Sequence, residues 1–356
     1  MIKFLFIESD NKIALKRIDD KSVKLIYSDL PYNTKNSLSY EDSKTHQQWK
    51  EMIYPCLKES FRILQNNGFI CLSIDDNEIY NLKLMMDKIF GESNFVATLV
   101  WHRNYSPKMN CSFFSKDHEY LLVYKRSKNS KINKEIRQAD ENYTNRFNHE
   151  DLKGKYRRRS LRKEGKGSLK ENAPTLFYPL TSPDGSEVWP IKPDGTQGHW
   201  RWSKKKVEKE KEFLEWVKKN NHWEVYVKQY FSKTFEVPPS TVWSWKEVGH
   251  YHSATQNLQK EIGDVRAFES PKPIGLLLKI LDIFTDDGDV VLDFFAGTAS
   301  TAIACSRHKN DLRFIGIQSN EKIKKTDGKF VKISEIAIER IKKEINGEDL
   351  EIVTYN

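Results

Sequence analysis

The chain has 356 residues, 38% of them hydrophobic and 31% charged, so it is long enough to bury a large core and to hold a second unit. Its formal charge of +9 favours a polyanionic partner, although lysine-rich solvated faces are also common. Four cysteines without paired spacing argue against a disulfide framework or a zinc site, and no apolar stretch is long enough to span a membrane. We therefore expect a soluble, cytoplasmic protein without a bound metal.

The first stretch with a chemical signal is residues 27–34, Tyr-Ser-Asp-Leu-Pro-Tyr-Asn-Thr. An apolar run typical of a buried strand precedes it, so Asp29 and Tyr32 are expected at the carboxyl end of that strand, in a turn stiffened by Pro31. Open α/β sheets bind ligands at such strand ends. A carboxylate, the Leu30 carbonyl and an aromatic ring together can hold a planar group that carries an exocyclic amine. The alternative interpretation is an ordinary turn after a strand.

The next segments alternate between helical and strand patterns. Apolar residues recur at helical spacing from Trp49 to Leu64, a strand-like run covers residues 69–74, and a second amphipathic segment extends from Ile79 to Phe90. This alternation predicts a parallel sheet with right-handed crossovers. Residues 95–102 and 119–124 are rich in aromatic and β-branched side chains, and we expect them to complete the sheet as an antiparallel pair.

Residues 126–265 have a different character. Between residues 151 and 172, nine Lys or Arg residues stand against three acids, and seven of the nine tryptophans lie between residues 189 and 245. Basic residues interleaved with aromatic ones favour an insert that faces nucleic acid. The expected contacts are Arg157, Arg158, Arg159, Arg162 and Lys163. The alternative is a turn-rich domain with a tryptophan core and a flexible basic loop; for the individual tryptophans, the core interpretation is preferred.

Regular structure is predicted again after residue 270. The expected elements are a helix at 274–284, a strand at 290–293, a turn of small residues at 294–301, a helix at 302–307, a strand at 313–318 and a helix at 331–345. A strand, a turn of small residues and a helix N-terminus form a concave site in which backbone N–H groups face a ligand. The turn contains no lysine, which excludes a Walker-type triphosphate loop.

These two motif regions resemble those of the amino-group DNA methyltransferases, which methylate adenine N6 or cytosine N4 with S-adenosylmethionine. Residues 29–32 are similar to the Asp-Pro-Pro-Tyr motif of those enzymes, with Leu30 in place of the first proline. Residues 293–301 are similar to their methyl-donor motif, with Ala299 where glycine is frequent. The order of catalytic half, insert and donor half resembles the β group, in which the sheet is circularly permuted.

Further stretches resemble the modification (Mod) subunits of type III restriction-modification systems. They are Ile74 to Glu78, His118-Glu119-Tyr120, Phe177-Tyr178-Pro179, Asp184-Gly185, Gly198 to Trp202, and Pro271-Lys272-Pro273. The resemblance implies an α/β, Rossmann-like, S-adenosylmethionine-dependent methyltransferase fold, circularly permuted, with an inserted target-recognition region. It divides the chain into a catalytic half at 1–125, the DNA-binding insert at 126–265 and a cofactor-binding half at 266–356.

The resemblance also implies roles for individual residues. Asp29, Leu30, Pro31 and Tyr32 would hold the target base after it is flipped out of the duplex, and the methyl group would transfer directly to its amine. The implied cofactor-binding residues are Asp293, Phe295, Gly297, Thr298, Lys272, Ser270 and Gln318, with Glu321 as another ribose contact. Asp75 and Asp76 end a strand on the same side, but a solvated loop explains them equally well. The nine histidines are interpreted as structural.

Adenine N6 is the preferred acceptor, because an Asp at the start of the catalytic motif resembles the adenine enzymes, whereas cytosine N4 enzymes more often have Ser there. The alternatives are a cytosine N4 enzyme, a catalytically silent DNA-binding specificity subunit and an RNA methyltransferase. The expected partners are double-stranded DNA and, from the resemblance alone, a second copy of the chain and a restriction subunit.

Overall fold

A computed structural model of the chain describes residues 3–34, 43–106, 111–263, 271–323, 329–345 and 349–355. Two compact units can be separated, one made of residues 1–135 and 238–356 and the other of residues 136–237. The second unit lies within the predicted insert at 126–265. Because the insert interrupts the chain, the first unit is assembled from two segments that are distant in sequence.

The strands are numbered in chain order. They are β1 Phe4–Glu8, β2 Val23–Asp29, β3 Leu64–Ile74, β4 Phe95–His102, β5 His118–Lys125, β6 Glu135–Gln138, β7 His149–Asp151, β8 Gly154–Ser160, β9 Leu180–Thr181, β10 Glu187–Val188, β11 Leu214–Lys219, β12 His222–Tyr230, β13 Thr234–Val237, β14 Val242–Ser244, β15 Val290–Asp293, β16 Arg313–Gln318 and β17 Leu350–Thr354.

The helices are numbered in the same way. They are α1 Asn11–Ala14, α2 His46–Ile63, α3 Ile79–Phe90, α4 Glu141–Thr144, α5 Lys204–Lys209, α6 Trp245–Val248, α7 Tyr251–Ile262, α8 Ile274–Phe284, α9 Ser300–Arg307 and α10 Ile333–Glu344. Among the described residues, no helix is both long enough and apolar enough to cross a membrane.

The first unit is built on a nine-stranded sheet of the described residues, in the order β14-β4-β5-β3-β2-β15-β16-β1-β17. The centre is parallel, and the predicted antiparallel pair of β4 and β5 is confirmed; β5 also runs antiparallel to β3. Strand β2 pairs with β15 through Leu25 opposite Val291 and Ile26 opposite Leu292. The predicted α/β fold class, with its permuted strand order, is thus confirmed, and both motif strands end at the same edge of the sheet.

Helices cover both faces of this sheet because successive side chains of a strand point to opposite faces. On β2, Leu25 and Tyr27 belong to the cluster that contains Leu276 and Ile280 of α8. Ile26, which lies between them, belongs to the cluster formed with α2 and α3. Strands buried on both faces must be apolar at almost every position, which is why they appear in the sequence as continuous hydrophobic runs.

The start of α2 is encoded locally by a capping box. The Thr45 hydroxyl accepts a hydrogen bond from the backbone N–H of Gln48 at 3.2 Å, and the Gln48 side chain accepts one from the Thr45 N–H at 3.0 Å. The helix ends at Ile63, and β3 begins at the next residue. Strand β3 therefore starts several residues before the predicted run at 69–74, and its pairing with β2 contains a register shift near Leu25.

The second unit contains a four-stranded antiparallel sheet in the order β11-β12-β8-β7. The alternative of a flexible basic loop is wrong for Arg157, Arg158 and Arg159, because all three lie in β8, paired with β12. Trp200 is buried in the core of this unit, as the core interpretation of the tryptophans expects. A strand of basic residues holds its charges at fixed spacing, with alternate side chains on opposite faces.

Gly275 provides a test of how α8 packs. A Cβ atom at this position would lie 2.8 Å from the carbonyl oxygen of Val248, at the end of α6. We expect Gly275→Ala to lower the free energy of unfolding by about 1–3 kcal/mol through overpacking, whereas the same change in an open helix stabilises by about 0.5–1 kcal/mol. Urea denaturation of both proteins measures the difference. An unchanged or raised stability would contradict this close approach.

Candidate active site

A cavity of about 1100 Å³ opens at the carboxyl ends of β2 and β15. Both motifs line it, because the two strands are adjacent and parallel and therefore end on the same side. From the catalytic motif, the lining residues are Asp29, Leu30, Pro31 and Tyr32. From the donor half, they include Lys272, Asp293, Phe295, Gly297, Thr298 and Gln318. Residues separated by about 265 positions in the chain thus share one site.

The turn after β2 is held from several sides. Leu30 is buried among the side chains of the core, and the carbonyl of Pro31 accepts a hydrogen bond from the indole of Trp49 at 2.7 Å. Asn33 has a left-handed backbone, with φ of 58°, and its amide donates to the buried Glu78 carboxylate at 2.6 Å. These contacts fix the backbone on both sides of Tyr32, so its ring is presented to the cavity in a defined position.

Lys272 connects the catalytic residues. Its ammonium nitrogen lies 2.7 Å from Oδ1 of Asp29, and it donates hydrogen bonds to the hydroxyls of Tyr32 at 2.9 Å and Tyr251 at 2.7 Å. Each of these hydroxyls in turn donates to the carboxylate of Glu119, at 2.9 Å and 2.8 Å. Lys272 thus pairs with Asp29 as an ion pair and donates to both tyrosines, and each tyrosine hydroxyl acts as acceptor and donor at once.

The charges of this cluster balance. Two carboxylates, Asp29 and Glu119, face two cations, Lys272 and Arg103, and Arg103 contacts Glu119 directly. The side chains of Lys272 and Glu119 are only 4% and 2% exposed, so each charge needs its partner. Asp29 is 32% exposed, and that exposure is to the cavity.

The protonation of the two carboxylates follows from these surroundings. Burial raises the pKa of Asp29 above its ordinary value; Lys272 opposes the rise and Glu119 adds to it. Burial alone would also raise the pKa of Glu119, but Lys272, Arg103 and the tyrosine hydroxyls together hold that pKa below its usual value. Lys272 thus favours the ionised form of both carboxylates, and burial outweighs its effect at Asp29 but not at Glu119.

The donor half is organised by Asp293, which is buried at the end of β15. Its carboxylate accepts hydrogen bonds from the hydroxyls of Ser28 at 3.1 Å and Thr301 at 2.6 Å, and from the backbone N–H of Phe295 at 3.1 Å. Burial raises the pKa of Asp293 to about 7, and these hydrogen bonds limit the rise. Ser28 belongs to β2, so this network also joins the two motif strands.

The turn after Asp293 is tight and is held by hydrogen bonds to Gln318 and Arg340. Gly297 has a φ of 53°, a left-handed conformation that favours glycine, and its N–H donates to Oε1 of Gln318 at 2.8 Å. Ala299 takes the same left-handed region, with φ of 62°. Arg340 of α10 donates to the carbonyl of Thr298 at 3.0 Å, which fixes the turn from the other side.

A dependence of stability on pH follows from Asp293. A carboxyl whose pKa is near 7 in the folded chain and about 3.8 when unfolded contributes stability at low pH that is lost as the pH rises between these values. We expect the stability of the protein relative to Asp293→Asn to be lower at pH 8 than at pH 5, by a few kcal/mol. Urea denaturation of both proteins at the two pH values measures this double difference. The contributions of other titrating groups to the pH dependence are shared by both proteins and cancel. An equal difference at pH 5 and pH 8 would contradict an Asp293 that is protonated in the folded state.

The other predicted residues are placed as follows. Glu321 and Asp75 line the same cavity, whereas Asp76 accepts a hydrogen bond from the Tyr120 hydroxyl at 2.8 Å. Ser270 lies outside the described residues. The five basic residues belong to the second unit. Three of them have partners there: Arg157 donates to Gln229, Arg158 pairs with Glu215 and Arg162 donates to the Ile191 carbonyl.

Three residues of the network around Lys272 carry no assigned role in the sequence analysis. Glu119 stands in the His-Glu-Tyr stretch that supports the family resemblance, which is a usable signal for this residue. Tyr251 falls inside the predicted insert, yet it starts α7 of the first unit and reaches the cavity. Arg103 follows β4 and carries no local signal. Within the described part of the chain, no group of three or more His, Cys, Asp or Glu residues is placed to hold a metal ion.

Comparison with known proteins identifies the family. The chain is 32% identical to the type II methyltransferase M.KpnI of Klebsiella pneumoniae, over 92% of this chain and 84% of that protein. It is 29% identical to the EcoPI Mod subunit, of a type III restriction-modification enzyme of Escherichia phage P1, over 90% of this chain but only 58% of that protein. The structure of the cytosine-N4-specific PvuII DNA methyltransferase shares the fold, with a TM-score of 0.50 and 12% identity over 98% of this chain and 95% of that one. The family model described as DNA methylase, which covers N6 and N4 enzymes, matches residues 23–328, and the chain belongs to that family.

Proposed function

We propose that the protein transfers a methyl group from S-adenosylmethionine to N6 of a specific adenine in duplex DNA. The observation that carries this proposal is the single cavity lined by both Asp29 to Tyr32 and Asp293 to Thr298. A site that joins an amine-binding turn to a donor-binding turn brings the two reactants within reach of each other. Membership of the DNA methylase family supports the same reaction.

The donor half of the cavity fits S-adenosylmethionine. Phe295 offers an aromatic wall, Gly297 and Thr298 form a narrow turn of small residues, and Gln318 and Glu321 bring polar atoms to the end of the neighbouring strand. Small-molecule sites measure about 300–1000 Å³. The cavity, at about 1100 Å³, has room for the donor and a flipped base together. When bound, this cofactor supplies a methyl group on a positively charged sulfur, ready for attack by a nucleophile.

The acceptor half determines how the amine is presented. We expect the carboxylate of Asp29 and the carbonyl of Leu30 to accept the two amine hydrogens, which turns the nitrogen lone pair toward the methyl group. The carboxylate also stabilises the positive charge that develops on this nitrogen. Tyr32 stacks on the base, with its hydroxyl held by Glu119 and Lys272. Positioning and charge supply the rate, and no histidine base is needed.

The preference for adenine rests on Asp29. This residue lines the cavity, whereas the hydroxyl of the preceding Ser28 bonds Asp293 and the Phe295 N–H at the base of the donor turn. The arrangement favours an Asp-led motif, typical of adenine enzymes, over a shifted register led by Ser28. A cytosine N4 enzyme with the same fold is the competing function, since the family includes both.

Sequence recognition is assigned to the second unit. Its strand β8 presents Arg157 and Arg159 on one face and Arg158 on the other, beside the aromatic residues of β12. We propose that its basic residues contact DNA phosphates and thereby position the protein on the duplex, and that other residues of this unit read the bases. A second copy of the chain and a restriction subunit are the further partners proposed, in line with relatives from restriction-modification systems.

Product analysis tests this function. The purified protein is incubated with labelled S-adenosylmethionine and unmethylated duplex DNA, and the DNA is digested to nucleosides. N6-methyladenine as the labelled product supports the proposal, and mapping of the modified positions gives the target sequence. N4-methylcytosine as the labelled product would show that the acceptor is cytosine N4 and not adenine N6. If cofactor and DNA both bind but no label enters the DNA, the result would favour a catalytically silent subunit.

A further inference from the structure

Two consecutive phenylalanines stand at the rim of the active-site cavity. Phe113 and Phe114 both contribute to its lining, yet each is 92% exposed. Burying a phenylalanine side chain is worth about 1.5–3 kcal/mol, and folding of this chain alone does not gain that stabilisation for either ring. Neither ring belongs to a hydrophobic cluster of the described residues. Exposed apolar side chains beside a site indicate contact with a partner.

The segment that carries these rings is anchored to the catalytic network. The Ser115 hydroxyl donates to Asp117 at 2.6 Å, and the backbone N–H of Arg103 donates to the Asp117 carbonyl at 2.9 Å. A guanidinium nitrogen of Arg103 also donates to the Lys116 carbonyl at 3.3 Å. Arg103 itself contacts Glu119, which accepts a hydrogen bond from the Tyr32 hydroxyl. The two rings are therefore linked to the residues that would hold the base.

The partner that fits these rings is the substrate duplex. A base that enters the cavity leaves a gap in the DNA stack, and its former pairing partner loses its neighbour. Proteins that distort DNA insert apolar wedges such as Phe between base steps. The lining of the same cavity includes Lys12, Lys44 and Lys116, which suits a rim that meets phosphates.

We propose that Phe113 and Phe114 insert into the duplex at the target and occupy the gap that the flipped base leaves. The inference rests on the proposed function, because it requires a DNA substrate whose base is extruded. Under this assignment the two rings do no chemistry; they are positioning residues that stabilise the open duplex. Their contribution should therefore depend on whether the target base is paired.

The test compares the double variant Phe113→Ala/Phe114→Ala with the unmodified protein on two duplexes that carry the mapped target sequence. One duplex is fully paired, and the other has an abasic site opposite the target base. Aromatic stacking on bases is worth roughly 10- to 100-fold in affinity. We expect kcat/KM of the variant to fall by about that factor on the paired duplex and to recover to within about threefold on the unpaired one. Tyr80→Ala, which removes a ring that is 79% exposed on α3, is the matched control and should leave both rates unchanged.

A second readout measures base flipping without chemistry. With 2-aminopurine at the target position, the unmodified protein should raise the fluorescence and the double variant should not. An unchanged rate on the paired duplex, or an equal loss on both duplexes, would overturn the inference while leaving methyl transfer by the unmodified protein intact. Failure of the unmodified protein to methylate either duplex would instead overturn the proposed function, and the inference with it.

Discussion

Replacing Asp29 by asparagine is expected to lower the single-turnover rate of methyl transfer by about 10²–10³-fold. The carboxylate is placed to accept hydrogens of the target amine, and an amide would present a donor or a weaker, neutral acceptor instead. The change should leave cofactor binding in place. The hydrogen bonds that shape the donor turn run from Phe295 to Asp293 and from Gly297 to Gln318, and none of them involves Asp29. The measurement is labelled methyl transfer with enzyme in excess, together with titration of the cofactor.

The matched control for this variant is Asp282→Asn. Asp282 is a carboxylate of α8 that is 48% exposed and pairs with Lys309 at 2.6 Å, outside the cavity lining. Its loss should change the rate less than about twofold, since surface ion pairs contribute little. If Asp29→Asn retained a rate similar to that of the control, Asp29 would not be the acceptor of the amine hydrogens.

Replacing Lys272 by methionine should have the largest combined effect on stability and activity. The change leaves Asp29 and Glu119 facing each other without the shared cation, and breaking a buried ion pair costs about 3–5 kcal/mol. It should also raise the pKa of Asp29 further, since burial and Glu119 would act unopposed by Lys272. Because the acceptor must be ionised, activity should fall more at pH 6 than at pH 8.

Two further variants separate this effect from general damage. Lys279→Met removes another largely buried lysine of the same unit, one that pairs with Glu135 at 2.8 Å and lies outside the cavity lining. It should lower stability and leave the shape of the pH profile of methyl transfer unchanged. Lys272→Arg retains the cation, so its activity at pH 6 relative to pH 8 should be close to that of the unmodified protein. A loss of activity in Lys272→Met that is equal at pH 6 and pH 8 would argue against an electrostatic role for Lys272.

The central strands and the two motif turns could be predicted because their signals are local. Buried parallel strands appear as short apolar runs, and the turns after Asp29 and Asp293 have distinctive residues at short spacing. The pairing of β2 with β15 is not contained in either local signal, but it agrees with the rule that ligands bind where parallel strands end, because it brings both turns to one cavity. The edge strands β14 and β17, and β1 next to β17, were not predicted, because these short strands depend on partners far away in the chain.

The Glu119 network lies beyond sequence reasoning for a different reason. Tyr32 reaches Glu119 across 87 positions, and Tyr251 reaches it across 132. Charged residues are mostly exposed and tyrosines are of intermediate burial, so nothing in the local pattern indicates that these residues are buried together. In the basic stretch at 151–172, the alternative of a flexible loop failed at residues 154–160, because these residues form β8 and pair with β12.

The adjacency of β2 and β15 has a consequence for synthesis on the ribosome. At about 5–20 residues per second, roughly 15–50 seconds pass between the appearance of the first strand and that of its neighbour. During this interval β2 has a free hydrogen-bonding edge, and such edges can pair with other chains. The whole of the second unit, residues 136–237, is also synthesised within this interval. The nascent chain thus has to protect the free edge of an unfinished sheet until β15, residues 290–293, has been synthesised.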